Sequence, residues 1–265
     1  MQRILNRYVA LVFIQLAAIW PVLNWYMLRI QDKSDEPYGL LSLITVIIFL
    51  LSNKSHSKPK LFYLYIPALI LLAYSLTYHF VPPLIRAVIA MISIACMIST
   101  CGMGKPFHPG ICGLLLLSLP LISSIQFFLG YPMRVVVGEA GALLLQLSGF
   151  AVIREGTMLN WCGHLISIDA PCSGVKMLWA GLYLALTLSC FFDLDPLKSI
   201  LVVLCAIIAI MISNILRATS LFYMEAGILD LPSWSHTMLG IIIFALTSAA
   251  IVWITLRIGK EPCAR

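Results

Sequence analysis

Three short stretches in the second half of the chain hold side chains that could do chemistry together. "DAPCSGVKML" sets Cys172 and Lys176 around a Ser173–Gly174 pair, where an irregular segment gives way to a long apolar run. "NILR" puts Asn214 three residues before Arg217 in the next apolar run, and "SHTMLG" puts His236 four residues before Gly240 at the start of the last. A thiol at a helix N-terminus meets unpaired N–H groups and the positive end of the helix dipole. A lysine four residues on shares its face. Both favour the thiolate, the form that attacks a carbonyl. A guanidinium in an apolar run is costly, and it can donate to a developing oxyanion or grip a carbonyl or carboxylate. Asn214 lies on the same helical face as Arg217. An imidazole within reach of a thiol is a general base and acid, and Gly240 lets another helix approach its face. Plainer readings exist for each: a packing cysteine, an arginine snorkelling from a helix end, an interfacial histidine.

What must position these groups is a membrane protein. Of 265 residues 61% are hydrophobic and 11% charged, and the mean hydropathy is +1.00. Soluble chains hold roughly 45–50% apolar and about 25% charged residues. The net charge of +6 is therefore read as loop bias that sets orientation, not as a nucleic-acid surface. Eight cysteines without regular spacing make no disulfide framework. The basic start at Arg3 and Arg7 followed by a long apolar run reads as a retained first span. No soluble domain of any size is expected, and the chain reads as one integral-membrane domain over 1–265.

Apolar runs occupy 8–30, 38–52, 61–80, 84–101, 110–129, 132–150, 173–192, 199–217 and 236–257. The run at 132–150 holds Arg134, Glu139 and Gln146 with several glycines and prolines. If it lies along the outer surface, 10 of the 17 basic residues fall on the cytoplasmic side; if it crosses, only 8 do. The chain reads as an all-α polytopic protein, and the positive-inside rule favours the first of these two arrangements. About eight transmembrane helices are expected, with both ends cytoplasmic and one outer interfacial segment. In either case Cys172, Arg217 and His236 come to one side, and Arg217 falls near the outer boundary. Alternation over 157–161 and 165–169 around Cys162–Gly163 predicts a small extracytoplasmic β-hairpin before the cysteine. Its length sets Cys162 too far from Cys172 for a disulfide. Cys162, His164 and Cys172 match no usual zinc spacing, and His79 and His108 carry no chemistry here.

In this order, "PCSG" at a helix start, "NxxR" in the next helix and "HxxxG" opening the last resemble the exosortase/archaeosortase family. The lead-in "LPLISSIQFFLGYPMR" is also similar. The likeness covers about 110–245, while 1–105 reads as generic spans. It implies a membrane-embedded cysteine protease or transpeptidase with no cofactor and no metal, working at the outer face of the cytoplasmic membrane. The implied substrates are proteins ending in a short motif, a transmembrane helix and a basic tail. The implied second partner is water, an amine or a lipid-linked acceptor, within membrane lipid and with no nucleic acid. Carried over, Cys172 matches the nucleophile, Arg217 the essential arginine, His236 the essential histidine and Asn214 the asparagine of the arginine motif; Ser173, Gly174 and Lys176 support. Many members carry "ACSGLR" where this chain has "PCSGVK", so Lys176 keeps the charge but lacks the planar fork.

Two other classes compete. A transporter predicts ionisable residues spread through the membrane depth and repeated hydropathy between halves, and neither is seen. A transferase using a lipid carrier would want an Asp/Glu or His-rich set. Asp169, Glu155 and Glu225 form no such motif.

Overall fold

A backbone in lipid must satisfy its own N–H and C=O groups, so long apolar runs fold as helices. The computed structural model describes residues 2–31, 37–52, 61–168, 173–229, 231–232 and 234–260, and these are mostly helical. They fall into two compact units.

The first unit comprises Met1–Leu121 and Leu186–Ile200. It contains α1 (Gln2–Ala18), α2 (Trp20–Gln31), α3 (Tyr38–Ser52), α4 (Tyr65–Thr77), α5 (Pro83–Ile98) and α6 (Pro109–Leu117). α4 and α6 pack on α5, and α3 packs on α6. Buried hydroxyls tie these helices: Gln15 donates to Ser93 Oγ at 2.6 Å, and Ser93 donates to the Pro67 carbonyl at 2.9 Å. His108 is buried and caps α6, where its Nδ1 accepts the Ile111 N–H at 3.3 Å. Its Nε2 lies 3.1 Å from Asp193, whose carboxylate also accepts from Lys105 at 2.7 Å.

The second unit comprises Ile122–Ala185 and Leu201–Arg265. It takes in α7 (Ile122–Leu147), a three-stranded antiparallel sheet, and most of α8 (Val175–Phe191), α9 (Pro196–Glu225) and α10 (Trp234–Lys260). The sheet is a meander of β1 (Val152–Glu155), β2 (Met158–Trp161) and β3 (His164–Ser167). The expected β2–β3 hairpin is present, with φ of 51° at Cys162 and 82° at Gly163, the paired positive φ values of a tight hairpin turn. β1 is an additional strand. Val152, Leu159 and Ile168 bury one side of this segment against Val137 and Leu145 of α7 and Phe222 of α9. Phe150, Trp161, Phe222 and Tyr223 meet edge to face with centroids 5.4–5.9 Å apart.

Three boundaries differ from the sequence expectation. The chain does not divide at 130–132: α7 runs through Pro132, and the break lies at 118–121 around Pro120. Two glycines of that run are packing positions, Gly138 against Arg154 and Ile168, and Gly141 against Thr219. α9 continues to Glu225, eight residues past the expected end, because Phe222 is buried against the sheet. α8 begins at Val175, two residues late, because Gly174 takes a φ of +82°, which no right-handed helix accepts. By length and composition, four described helices can cross a membrane, or five if the bent α1–α2 pair is one span. α3, α4 and α8 are apolar but shorter.

Candidate functional site

Cys172 lies outside the described residues, as do Asp169, Ala170 and Pro171; Ser233, a residue type that caps helix N-termini, does too. The chain after Cys172 is held from three directions. Ser173, 1% exposed, donates its hydroxyl to Gln126 Oε1 of α7 at 3.0 Å and accepts the Val175 N–H at 3.5 Å. Gly174 follows, and its carbonyl accepts the first helical bond of α8 from Leu178 at 2.8 Å. A Cβ at Gly174 would stand 2.6 Å from Asn214 Nδ2 and 3.1 Å from Oδ1, so the asparagine amide of α9 fills the space a side chain would need. Asn214 is 1% exposed. Lys176 is exposed in the first turn of α8.

One turn beyond Asn214, Arg217 lays its guanidinium over Gly240 of α10. A Cβ there would be 3.5 Å from Arg217 Nε and 3.8 Å from Cζ. Nε is buried and has no hydrogen-bond partner among the described residues. Leaving a buried donor unpaired costs about 1–3 kcal/mol, and more for a charged group, so such an atom in a native fold calls for an explanation. Snorkelling from a helix end does not supply one, since α9 runs two further turns. His236 is the third residue of α10 and half-buried. It precedes Gly240 by four residues, or about 6 Å of rise on the same face. The structure thus brings Ser173, Gly174 and Asn214 together, and Arg217 to the α10 face that carries His236. No hydrogen bond joins Arg217 to His236 among the described residues.

α9 and α10 run antiparallel below this level, tied by Thr247 donating to Ser213 Oγ at 2.5 Å. Gly181 of α8 admits Ile210 and Ile251, which closes the three helices on one another. Above Arg217 the same two helices part into an apolar groove of about 430 Å³ between Tyr223 and Met224 on one side and Trp234 and Met238 on the other. Gln126 is the site residue that motif reading missed. Its signal was a single amide in the apolar stretch "SSIQFFLG", four residues before a glycine.

Residues 6–253 match the family model of the transmembrane exosortases. The chain belongs to that family. Exosortases are membrane-embedded cysteine proteases or transpeptidases. The match takes in residues 6–105 as well, where short motifs gave nothing to recognise. No curated protein and no solved structure matches the chain.

Proposed function

We propose that this exosortase cleaves proteins carrying a C-terminal sorting signal, at the extracytoplasmic face of the cytoplasmic membrane, with Cys172 as nucleophile. The observation that carries the reading is the buried, unpartnered Nε of Arg217 on the helix face that also seats Gly174, two residues from Cys172. A guanidinium held there without a partner is an oxyanion donor in waiting.

In the proposed reaction His236 takes the thiol proton and the Cys172 sulfur attacks the scissile carbonyl. Arg217 stabilises the negative oxygen that forms. As the C–N bond breaks, His236 returns the proton to the leaving amine, and a thioester joins Cys172 to the upstream product. Water then gives proteolysis. An amine or lipid-linked acceptor gives transfer. In either case the acceptor's proton passes through His236 to the departing sulfur, and the thiol is restored. The groove above Arg217 is apolar and open, as a docking place for the substrate's transmembrane helix should be. Basic Lys198 near the start of α9, and Arg257 and Lys260 at the end of α10, flank the opposite helix ends, which supports an outward-facing site.

The test is co-expression with a reporter ending in a recognition motif, an apolar helix and a basic tail, the motif drawn from proteins of that architecture in the same genome. Cys172→Ala should leave the full-length reporter in the membrane, and Arg217→Ala should slow processing by about 10²–10³-fold. Unimpaired processing by Cys172→Ala removes the nucleophile assignment.

A further inference from the structure

We propose that the cavity beside the α1–α2 elbow holds the phosphate of an anionic phospholipid headgroup, with Arg86 as its charged partner. The site lies wholly within the first unit and does not depend on the reaction proposed above. α2 turns 69° away from α1, and Pro21, Val22 and Trp25 of its first turns stand against the link from α4 to α5. With Tyr78, Pro83 and Arg86 they enclose a half-open cavity of about 160 Å³, roughly five waters at about 30 Å³ each. Arg86, half-buried in the first turn of α5, donates Nε–H to the Val81 carbonyl at 2.8 Å and lies over the Tyr78 ring at 4.4 Å. These contacts fix the plane of the guanidinium. Its two terminal nitrogens have no hydrogen-bond partner among the described residues.

The polar groups around the cavity are donors in want of an acceptor. The Trp25 indole N–H and the Tyr78 hydroxyl are uncommitted among the described residues. Tyr74, one turn back on α4, is 4% exposed, and its hydroxyl is buried with no partner among them. No described carboxylate balances Arg86. The described carboxylates of this unit are Asp193 and Asp195, beyond the end of α8, and Asp193 holds Lys105 and His108. A cation in an apolar unit calls for a partner, and the guanidinium fork fits two phosphate oxygens. The surroundings favour a lipid over a free phosphate. Trp20, Phe80 and Ile85, each within two residues of a lining residue, are exposed apolar side chains of the kind that meet the membrane boundary, where acyl chains cover them. No carboxylate or amide in the lining could accept from an ammonium, and Arg86 repels one, so a headgroup of net negative charge is preferred to a zwitterionic one.

The experiment titrates the delipidated full-length protein in detergent with phosphatidylglycerol, phosphatidylcholine or diacylglycerol of the same chains, and counts bound lipid by native mass spectrometry. The first phosphatidylglycerol should bind at least about tenfold more tightly than diacylglycerol, as expected of hydrogen bonds to a charged group, and more tightly than phosphatidylcholine. Arg86→Met should remove that margin. Arg134→Met, at an arginine of the second unit, should keep it. Trp25→Phe, which retains a ring but loses the N–H, should weaken binding about two- to tenfold. Because Arg86→Met also loses the bond to Val81, Trp25→Phe decides the matter if the arginine variant does not fold, and parent-level binding would then overturn the site. Equal binding of phosphatidylglycerol and diacylglycerol would overturn it too, as would parent-level binding by a folded Arg86→Met. An equal loss in Arg134→Met would show a diffuse charge effect and remove the site. Displacement of the lipid by millimolar inorganic phosphate would make it a free-phosphate site and overturn the lipid assignment.

Discussion

Two glycines in this site do different jobs, and the distances separate them. At Gly174 a side chain meets both a left-handed backbone and the Asn214 amide at 2.6 Å. The backbone costs roughly 1–2 kcal/mol for a non-glycine residue, and overpacking adds about 1–3 kcal/mol. Gly174→Ala should therefore lower the unfolding midpoint in detergent by several degrees and reduce reporter processing. Adding Asn214→Ala should restore part of the stability but not the activity. A Gly174→Ala protein as stable and active as the parent would show that neither constraint operates. At Gly240 an added Cβ would come only to 3.5 Å from Arg217 Nε, an ordinary contact. Gly240→Ala should process normally, whereas Gly240→Leu must push the guanidinium aside and should lose at least about tenfold, as expected of a misplaced oxyanion donor. Equal activity of these two variants would deny that Gly240 seats Arg217. Motif spacing draws attention to Asn214, Arg217 and His236 because each lies on a helix face whose period is fixed, and to Gly174 because it stands at the turn into α8. Gln126 was not legible as a partner, since nothing in the sequence says which residue of α7 faces Ser173.

Elements were legible where composition alone forms them and illegible where a tertiary partner extends them. The hairpin turn at Cys162–Gly163 announces itself, but β1 is four residues long and exists by pairing with β2. Likewise α9 looks finished at Arg217 until the sheet is there to bury Phe222. His108, set aside as chemically idle, proves to be a structural joint between the start of α6 and Asp193, the second residue past the end of α8. Its Nδ1 accepts from Ile111 N–H, so its Nε2 must carry the proton it offers to Asp193, a neutral tautomer inferred from the hydrogen bonds. Burial lowers its pKa against the pull of the Asp193 carboxylate. The sign follows from linkage: below the unfolded value of about 6.5 the unfolded chain binds more protons than the folded one, so stability falls as pH drops through that value toward the folded one. Thermal unfolding should occur at lower temperature at pH 5.5 than at pH 7.5, and His108→Gln should flatten that difference. An unchanged pH dependence in the variant would mean that other groups set it.

At the scale of the whole chain the question is which face of the membrane the site occupies. α9 is 30 residues long, or about 45 Å, against a hydrocarbon thickness of about 30 Å. Arg217 comes about 32 Å after Pro196, where the apolar thickness runs out, and the remaining turns belong with the sheet. The far end of α7 packs under the same sheet, so the sheet and the end of α9 share one level. That arrangement was only partly legible: the hairpin was expected, but neither the break at Pro120 nor the continuity of α7 through Pro132 was, because packing at Gly138 and Gly141 decides it. The loop charges favour the sheet end of α9 outside the cell. Cys162, exposed at the hairpin tip, and Cys263, just past the end of α10 in sequence, are then reporters of opposite faces. In a Cys172→Ala background, a membrane-impermeant maleimide applied to intact cells should label Cys162, and Cys162→Ser should abolish the label. Cys263 should react only after permeabilisation. The reverse pattern would turn the site toward the cytoplasm, where exported substrates could not meet it after translocation. Labelling of both residues from outside would mean that α10, 27 residues of apolar helix, does not cross.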